Sequence, residues 1–309
     1  MSTFNDTAAP PGAPPTPRPR EVAITFDDLP AQPPLLDTDS LREITERLLE
    51  AIRAHDVPAL GFVNEGAFYD GGDVDEGRLA LLKMWADAGL ELGNHTFSHP
   101  DLNNTPLATY LDDIVRGEAL TRTLLEKRGG ELRYFRHPYL HTGLDAETKV
   151  AVEQFLGERG YAAVPVTLYN QEWAFAKVYD RAWVLGDEDV MRRVADAFVP
   201  YMEKIFEFFE RVSVELLGYE VRQVLLLHAS ALNAHHFDAL ARMMKRRGYT
   251  FVPTARALDD RAYLIPDTFT GPRGRSALHR WAASMGRQMR REPAEPEFVM
   301  RLYEESCGP

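Results

Sequence analysis

The sequence predicts a parallel α/β fold, either barrel-like or an open sheet. Three observations predict it. Short apolar runs alternate with longer segments of helical period, seven such runs can be counted, and reactive polar residues recur just past their ends. At 309 residues, α/β barrels are commonly a single domain, and 45% apolar with 27% charged residues is ordinary for a globular chain.

The elements follow in order. "EVAITF" (21–26) reads as a first strand, and Ser40-Leu41-Arg42-Glu43 as a capping box. The helix it opens places Leu41, Ile44, Leu48 and Ile52 on one face. "PALGFV" (58–63) is a second strand, followed by a helix over 75–88 that Gly89 stops. "LELGN" (90–94) is the third. Thr105-Pro106 begins one long helix that runs to Gly129. "LRYFR" (132–136) is the fourth strand, with a helix from Asp145 to Arg159, and "YAAVPVTL" (161–168) is the fifth. A helical insertion over about 187–217 carries the stripe Val194, Phe198, Ile205, Phe209, Val212 and Leu216, and Pro200 should kink or divide it. "VRQVLLL" (221–227) is the sixth strand, 234–247 a helix, and "YTFVP" (249–253) the seventh. Residues 254–309 read as a turn-rich C-terminal arm with a helix over 276–291.

Composition narrows the partners. Lysine and arginine total 35 against 47 acids, a net charge of −12, which argues against nucleic acid or an anionic membrane surface. The single cysteine, Cys307, allows no intrachain disulfide. No apolar run is long enough to span a bilayer. Residues 1–19 are proline-rich and read as a disordered leader preceding a single catalytic domain over 20–309. The leader has no apolar h-region, so a cytoplasmic location is expected, although a chain trimmed of an export signal would look the same.

Active residues in parallel α/β folds gather at the carboxyl ends of strands, where the loops share one mouth. Reading those ends gives Asp27-Asp28, then His95 and His99, then Arg136-His137-Pro138-Tyr139, then Glu172-Trp173, then His228. Each alone has a bland reading: aspartates make turns and caps, an H-x-x-x-H pair arises by chance, and His228 could be a core histidine. Five strand ends converging on one mouth outweigh them. One aspartate with two histidines makes a metal site that leaves positions open for water and substrate. The second aspartate can take a proton from water, and a histidine across the pocket can hand one to a leaving nitrogen. The residues spell metal-assisted hydrolysis of an amide or ester.

"AITFDDLP", "HTFSHP", "RHPY" and "VLLLH" resemble the ordered motifs of the polysaccharide deacetylase family, also called NodB-homology or family-four carbohydrate esterases. The resemblance runs from Ala23 to about Pro253 and implies a distorted (β/α)7 barrel that removes N- or O-acetyl groups from sugars with one divalent ion, most often zinc, with cobalt, nickel or manganese as alternatives. It implies Asp27 as base and Asp28, His95 and His99 as ligands. It further implies that Arg136 orients the base, the Tyr139 N–H helps hold the oxyanion, and His228 is the acid. Glu172 and Trp173 stand where the family has an Asp-Trp pair supporting that acid and lining the pocket. Leu29 and Leu140 replace usual glycines and predict a narrowed mouth suited to short oligomers. Tyr169 replaces an aspartate, and Glu172 is one methylene longer than the family residue, which bears on the support of His228. A small non-peptide amide as substrate, or a carbohydrate-binding homologue without turnover, are the alternatives.

The other histidines draw lesser readings. His137 and His141 flank the site, His235 and His236 belong to an exposed helix start, and His55 and His279 are structural. "IFEFFERV" (205–212) is a buried stripe or a subunit contact in a homo-oligomer.

Overall fold

The structure, a computed structural model, describes residues 19–31 and 37–307. The leader expected over 1–19 lies outside them except for Pro19. In chain order the elements are β1 (Arg20–Leu29), α1 (Thr38–Ala54), β2 (Leu60–Val63), β3 (Tyr69–Asp70), β4 (Asp73–Val74), α2 (Glu76–Asp87) and β5 (Glu91–Asn94). Then come α3 (Leu107–Arg116), α4 (Ala119–Glu126), β6 (Tyr134–Phe135), α5 (Ala146–Glu158), β7 (Ala162–Ala163), α6 (Glu172–Leu185) and α7 (Glu188–Leu217). The last are β8 (Gln223–His228), α8 (Ala231–Arg246), β9 (Tyr249–Phe251), α9 (Thr254–Leu258), α10 (Ala277–Ser284) and α11 (Glu297–Cys307).

Seven strands form one parallel sheet in the order β7-β6-β5-β2-β1-β8, with β9 also on β1. Val22 faces both Gln223 and Phe251, so β9 takes the first part of the β1 edge that β2 occupies from Thr25 onward. β1 is the centre of the molecule, and its residues from Val22 to Leu29 are all buried. That accounts for a near-continuous apolar run instead of an alternating one.

The sheet is curled into a half-barrel, in keeping with the expected distorted (β/α)7 barrel. The fourth and fifth strands shrink to two residues each. Pro165 has no N–H to donate, and pairing between the two strands stops with the Val164 N–H on Phe135. On the far side Leu168, bridging to Leu225, the Thr167 bonds to Val224 and the Asn170 amide on the Leu226 carbonyl link this edge to β8.

Other differences have local causes. Asp37, not Ser40, caps α1, accepting the Ser40 N–H at 2.7 Å. The single helix expected after Thr105 is two, broken at Gly117-Glu118, and Pro106 flanks α3 without a side-chain cap. The helical insertion is larger than 187–217: α6 precedes it, and α7 is continuous through Pro200. The bond lost at the proline is outweighed by apolar faces buried on both sides, from Val194 and Phe198 to Phe209 and Leu216. The 205–212 stripe is therefore buried within this chain. The arm holds α9, α10 and an unforeseen α11, whose Val299 is fully buried. No described helix is long and apolar enough to cross a membrane.

Candidate active site

Asp27 and Asp28 end β1, and the chain turns sharply there because Asp28 takes a φ of 63°. His95 follows β5 directly, and its backbone N–H bonds the Val63 carbonyl at 3.0 Å. The loop it begins is anchored by two buried polar residues. Asn94 accepts the Thr96 N–H at 2.6 Å and donates to the Ile114 carbonyl at 2.9 Å. Asp113 of α3 accepts the Phe97 and Ser98 N–H groups at 2.9 and 2.8 Å and the Ser98 hydroxyl at 2.8 Å.

This bracing holds an unfavourable backbone. Of the six described non-glycine residues with positive φ, five lie here: Asp28, Thr96, His99, Tyr139 and Leu140. Such conformations cost on the order of 1–3 kcal/mol each and persist only where the surroundings enforce them.

The loops bring Asp28, His95 and His99 together. Nε2 of His95 and of His99 each lie 3.5 Å from Asp28 Oδ1, and one ligand atom from each of the three residues falls within 4.8 Å of the others. The rings are 4.9 Å apart and edge-on. His95 Nδ1 is 2.8 Å from the Arg136 carbonyl, an acceptor only, so Nδ1 carries a proton and Nε2 is the nitrogen turned to the cluster. Burial, partly opposed by the Asp28 charge, pushes the His99 imidazole down to about 4. Two imidazoles and a carboxylate fit a divalent ion of the zinc type.

Beside the cluster, Arg136 Nη1 donates to Asp27 Oδ1 at 2.9 Å and to the Thr25 hydroxyl at 2.6 Å. Its guanidinium is buried over the Phe62 ring, 4.4 Å from the centroid. Asp27 Oδ2 faces the other way, 3.9 Å from His95 Nε2. Across the cavity, His228 Nδ1 lies 2.7 Å from Glu172 Oε2, and Glu172 is fully buried. Asn233 of α8 locks the pair, donating to Glu172 Oε1 at 2.5 Å and to the His228 carbonyl at 2.8 Å. Burial alone would lower the His228 imidazole; the Glu172 carboxylate, with Asp28 and Asp27 beyond it, lifts it to about 9. Asp27, Asp28, His95, His99 and His228 open onto one cavity of about 1040 Å³.

Comparison with known proteins reports the same pattern. Residues 15–157 match the sequence model described as polysaccharide deacetylase. Over that stretch, just under half of its length, the chain resembles the polysaccharide deacetylase family. Among curated relatives, it is 31% identical over 134 residues to a peptidoglycan-N-acetylglucosamine deacetylase of Bacillus cereus, covering 43% of this chain and 41% of that protein. The matched stretch spans about half the length of the curated relatives or less. Among solved structures, the chitin deacetylase of Colletotrichum lindemuthianum aligns with a TM-score of 0.51 at 22% identity, over 78% of this chain and 88% of that one. A family-four carbohydrate esterase pseudoenzyme from Bacillus anthracis aligns at 0.50 and 17% identity, over 79% of this chain and 66% of that one. At such identities these two likenesses establish the fold, a mostly parallel curled sheet with helices.

The departures from the family pattern sit as follows. Leu29 is fully buried, its side chain close to Gly61, and it also contributes to the cavity lining. Leu140, half-buried, does sit at the rim, with its Cβ close against Gly274 of the arm. The extra methylene of Glu172 does not separate it from His228, because α6 begins at this residue and Asn233 fixes the carboxylate. Tyr169 lines the cavity. Tyr139 is 55% exposed and meets the His99 ring edge-on at 4.6 Å, and Trp173 lines the opposite wall.

His137 and His141 both line the cavity, the first bonded to the Tyr110 hydroxyl at 3.1 Å and the second to Asp101 at 2.6 Å. His235 and His236 are not exposed. Both are half-buried and share the Tyr179 hydroxyl, at 3.0 and 3.1 Å. His55 pairs with Asp238 and His279 with the Arg290 carbonyl. Sequence reasoning missed Asn233, Lys177, Arg273 and Tyr303. Lys177 lies one helical turn past Trp173 and was within reach had α6 been recognised; Tyr303 comes from 130 residues further along the chain, with no local signal.

Proposed function

We propose that this chain is a metal-dependent hydrolase that removes acetyl groups from N-acetylated carbohydrate, with oligomers as the working substrate. The observation that carries the reading is the meeting, in one cavity, of the Asp28–His95–His99 cluster with an arginine-held carboxylate on one side and a glutamate-held histidine on the other. A divalent ion held by the three ligands would polarise the acetyl carbonyl and make water more acidic.

The protein's own groups do the rest. Arg136 fixes Oδ1 of Asp27, so Oδ2 is the oxygen presented to take a proton from the attacking water. The Tyr139 N–H helps hold the oxyanion at the rim beside His99. His228 is protonated near neutral pH and gives that proton to the departing nitrogen, while Glu172 holds its ring through Nδ1. Trp173 and Tyr169 offer flat apolar faces to sugar rings. A cavity of about 1040 Å³ is at the upper end of small-molecule sites and suits several sugar units better than a small amide. Retention of a held base and a held acid supports turnover over mere binding.

The test is acetate release from short N-acetylglucosamine oligomers. We expect release that a chelator abolishes and added zinc or cobalt restores; release indifferent to chelation would refute the metal-dependent reading.

A further inference from the structure

The turn that carries the Tyr139 N–H is built of residues that do not suit its shape. In Pro138–His141 both central residues are left-handed, Tyr139 at φ 56° and Leu140 at φ 55°, and the His141 N–H closes the turn on the Pro138 carbonyl at 3.1 Å. A turn with positive φ at both central positions normally takes Asn, Asp or Gly, because other side chains crowd their own backbone there. Tyrosine and leucine persist at these positions only where something outside the turn enforces them.

What lies outside is the C-terminal arm. A Cβ on Gly274 would come 2.1 Å from the Tyr139 carbonyl oxygen and 2.9 Å from Leu140 Cβ, so the arm's backbone rests directly on the peptide between the two left-handed residues. The segment that delivers Gly274 is fastened on both sides. Before it, the Gly271 N–H bonds the Gly143 carbonyl at 3.2 Å, and the Gly271 carbonyl accepts from the Asn103 amide at 3.4 Å. Asp267 pairs with Arg280 and, at 3.4 Å, with Lys149 Nζ. After it, the Ser276 hydroxyl donates to the Thr167 carbonyl and the Ala277 N–H to the Val166 carbonyl, each at 2.6 Å. The Thr167 hydroxyl accepts the Val224 N–H of β8 at 2.7 Å, so the fastening reaches the sheet. Residue 274 has to be glycine for this strap to come so close. The turn lies within residues 15–157, which match the family model, and the strap lies beyond them.

Resting on the deacetylase reading, we infer that Gly274 is a positioning residue: through it the arm presses the Tyr139–Leu140 turn into the shape that sets the Tyr139 N–H for the oxyanion. Glycine at 140 would take its positive φ freely and need no strap, so Leu140 and Gly274 work as a matched pair.

The test is a double-mutant cycle of Gly274→Ala and Leu140→Gly on the zinc-supplemented protein. It is read by acetate release from N-acetylglucosamine oligomers, by zinc stoichiometry and by amide hydrogen exchange over residues 137–142. The Leu140 and His141 N–H groups are both bonded within the turn, so exchange reports its integrity without turnover. Gly274→Ala forces the strap off the turn. Its kcat falls by about 10- to 100-fold, short of the full cost of deleting an oxyanion donor, with KM and zinc stoichiometry little changed. In the Leu140→Gly background the same change leaves kcat nearly where it was. An equal or larger loss in that background, the pattern of sites that do not work as a pair, overturns the inference and leaves the deacetylase reading standing. So does no loss in either background, or a loss accounted for by lost zinc. Should Gly274→Ala fail to fold, Asp267→Asn, which loosens the strap where it meets Lys149 and Arg280, takes its place with the same expected pattern. If the wild type releases no acetate, the deacetylase reading falls and exchange decides alone. Exchange accelerated by Gly274→Ala only where Leu140 is present then supports the strap; exchange unaffected, or accelerated equally in both backgrounds, overturns both.

Discussion

Two held pairs set the chemical character of the cavity, and in each the partner is more deeply buried than the residue that acts. Arg136 is 1% exposed and Glu172 0%, so Asp27 and His228 are held by groups that water does not reach. For His228 this has a consequence for stability. Its imidazole is raised in the folded protein to about 9, from about 6.5 in an unfolded chain. A raised histidine stabilises the fold fully below about pH 6.5, and the contribution is lost as pH rises through about 9. Glu172→Gln removes the cause. In chemical denaturation across that range, the wild type should exceed the variant most at pH 6 and the gap should narrow steadily toward pH 9 or beyond. A gap that widens with pH would show that His228 folds as the neutral form. At this scale the sequence is informative: Asp27, Asp28, His95, His99, Arg136 and His228 stand at strand ends, where backbone pattern alone places them at one mouth. Asn233 stands apart because it acts through the start of a helix, where its type reads as ordinary.

At the scale of elements, the His95–His99 loop is shaped from outside as much as by its own residues. The break between α3 and α4 lets Gly117 approach the loop so closely that a Cβ would lie 2.4 Å from the Thr96 carbonyl carbon and 2.6 Å from the Phe97 nitrogen. Both are backbone atoms and cannot swing aside. Gly117→Ala should therefore push the loop outward. We expect a loss of about 1–3 kcal/mol in stability, the usual cost of overpacking, together with weaker zinc binding by isothermal titration. Unchanged stability and unchanged zinc affinity would mean that the loop is not seated on α3. The sequence does not reveal this break, because its apolar spacing continues through Gly117 and only the packing of two backbones requires the gap. The same limit explains the strands. β1, β5 and β8 read clearly as buried apolar runs, whereas the runs at 132–136 and 161–168 pair over only two residues each because a proline stops them at the edge.

Across the whole molecule, an incompletely closed sheet leaves a broad mouth, and the chain's later segments wall it. α6, the arm and α11 contribute Trp173, Arg273 and Tyr303 to the same cavity as Asp27 from β1. Contacts of that kind join residues hundreds of positions apart and leave no local periodicity, so α11 and its role at the rim were not legible in the sequence. The parallel α/β class and the position of the mouth were, because strand and helix alternate and the reactive residues follow strand ends.

The most direct test of the account compares hydrolysis and metal content in the wild type and Asp27→Asn. Asparagine keeps the shape but cannot take a proton, while the three ligands remain. The account predicts that zinc stoichiometry is unchanged and that acetate release falls by about 10²–10⁴, the usual contribution of a positioned general base. Full turnover in the variant would show that Asp27 is not the base and contradict the central claim.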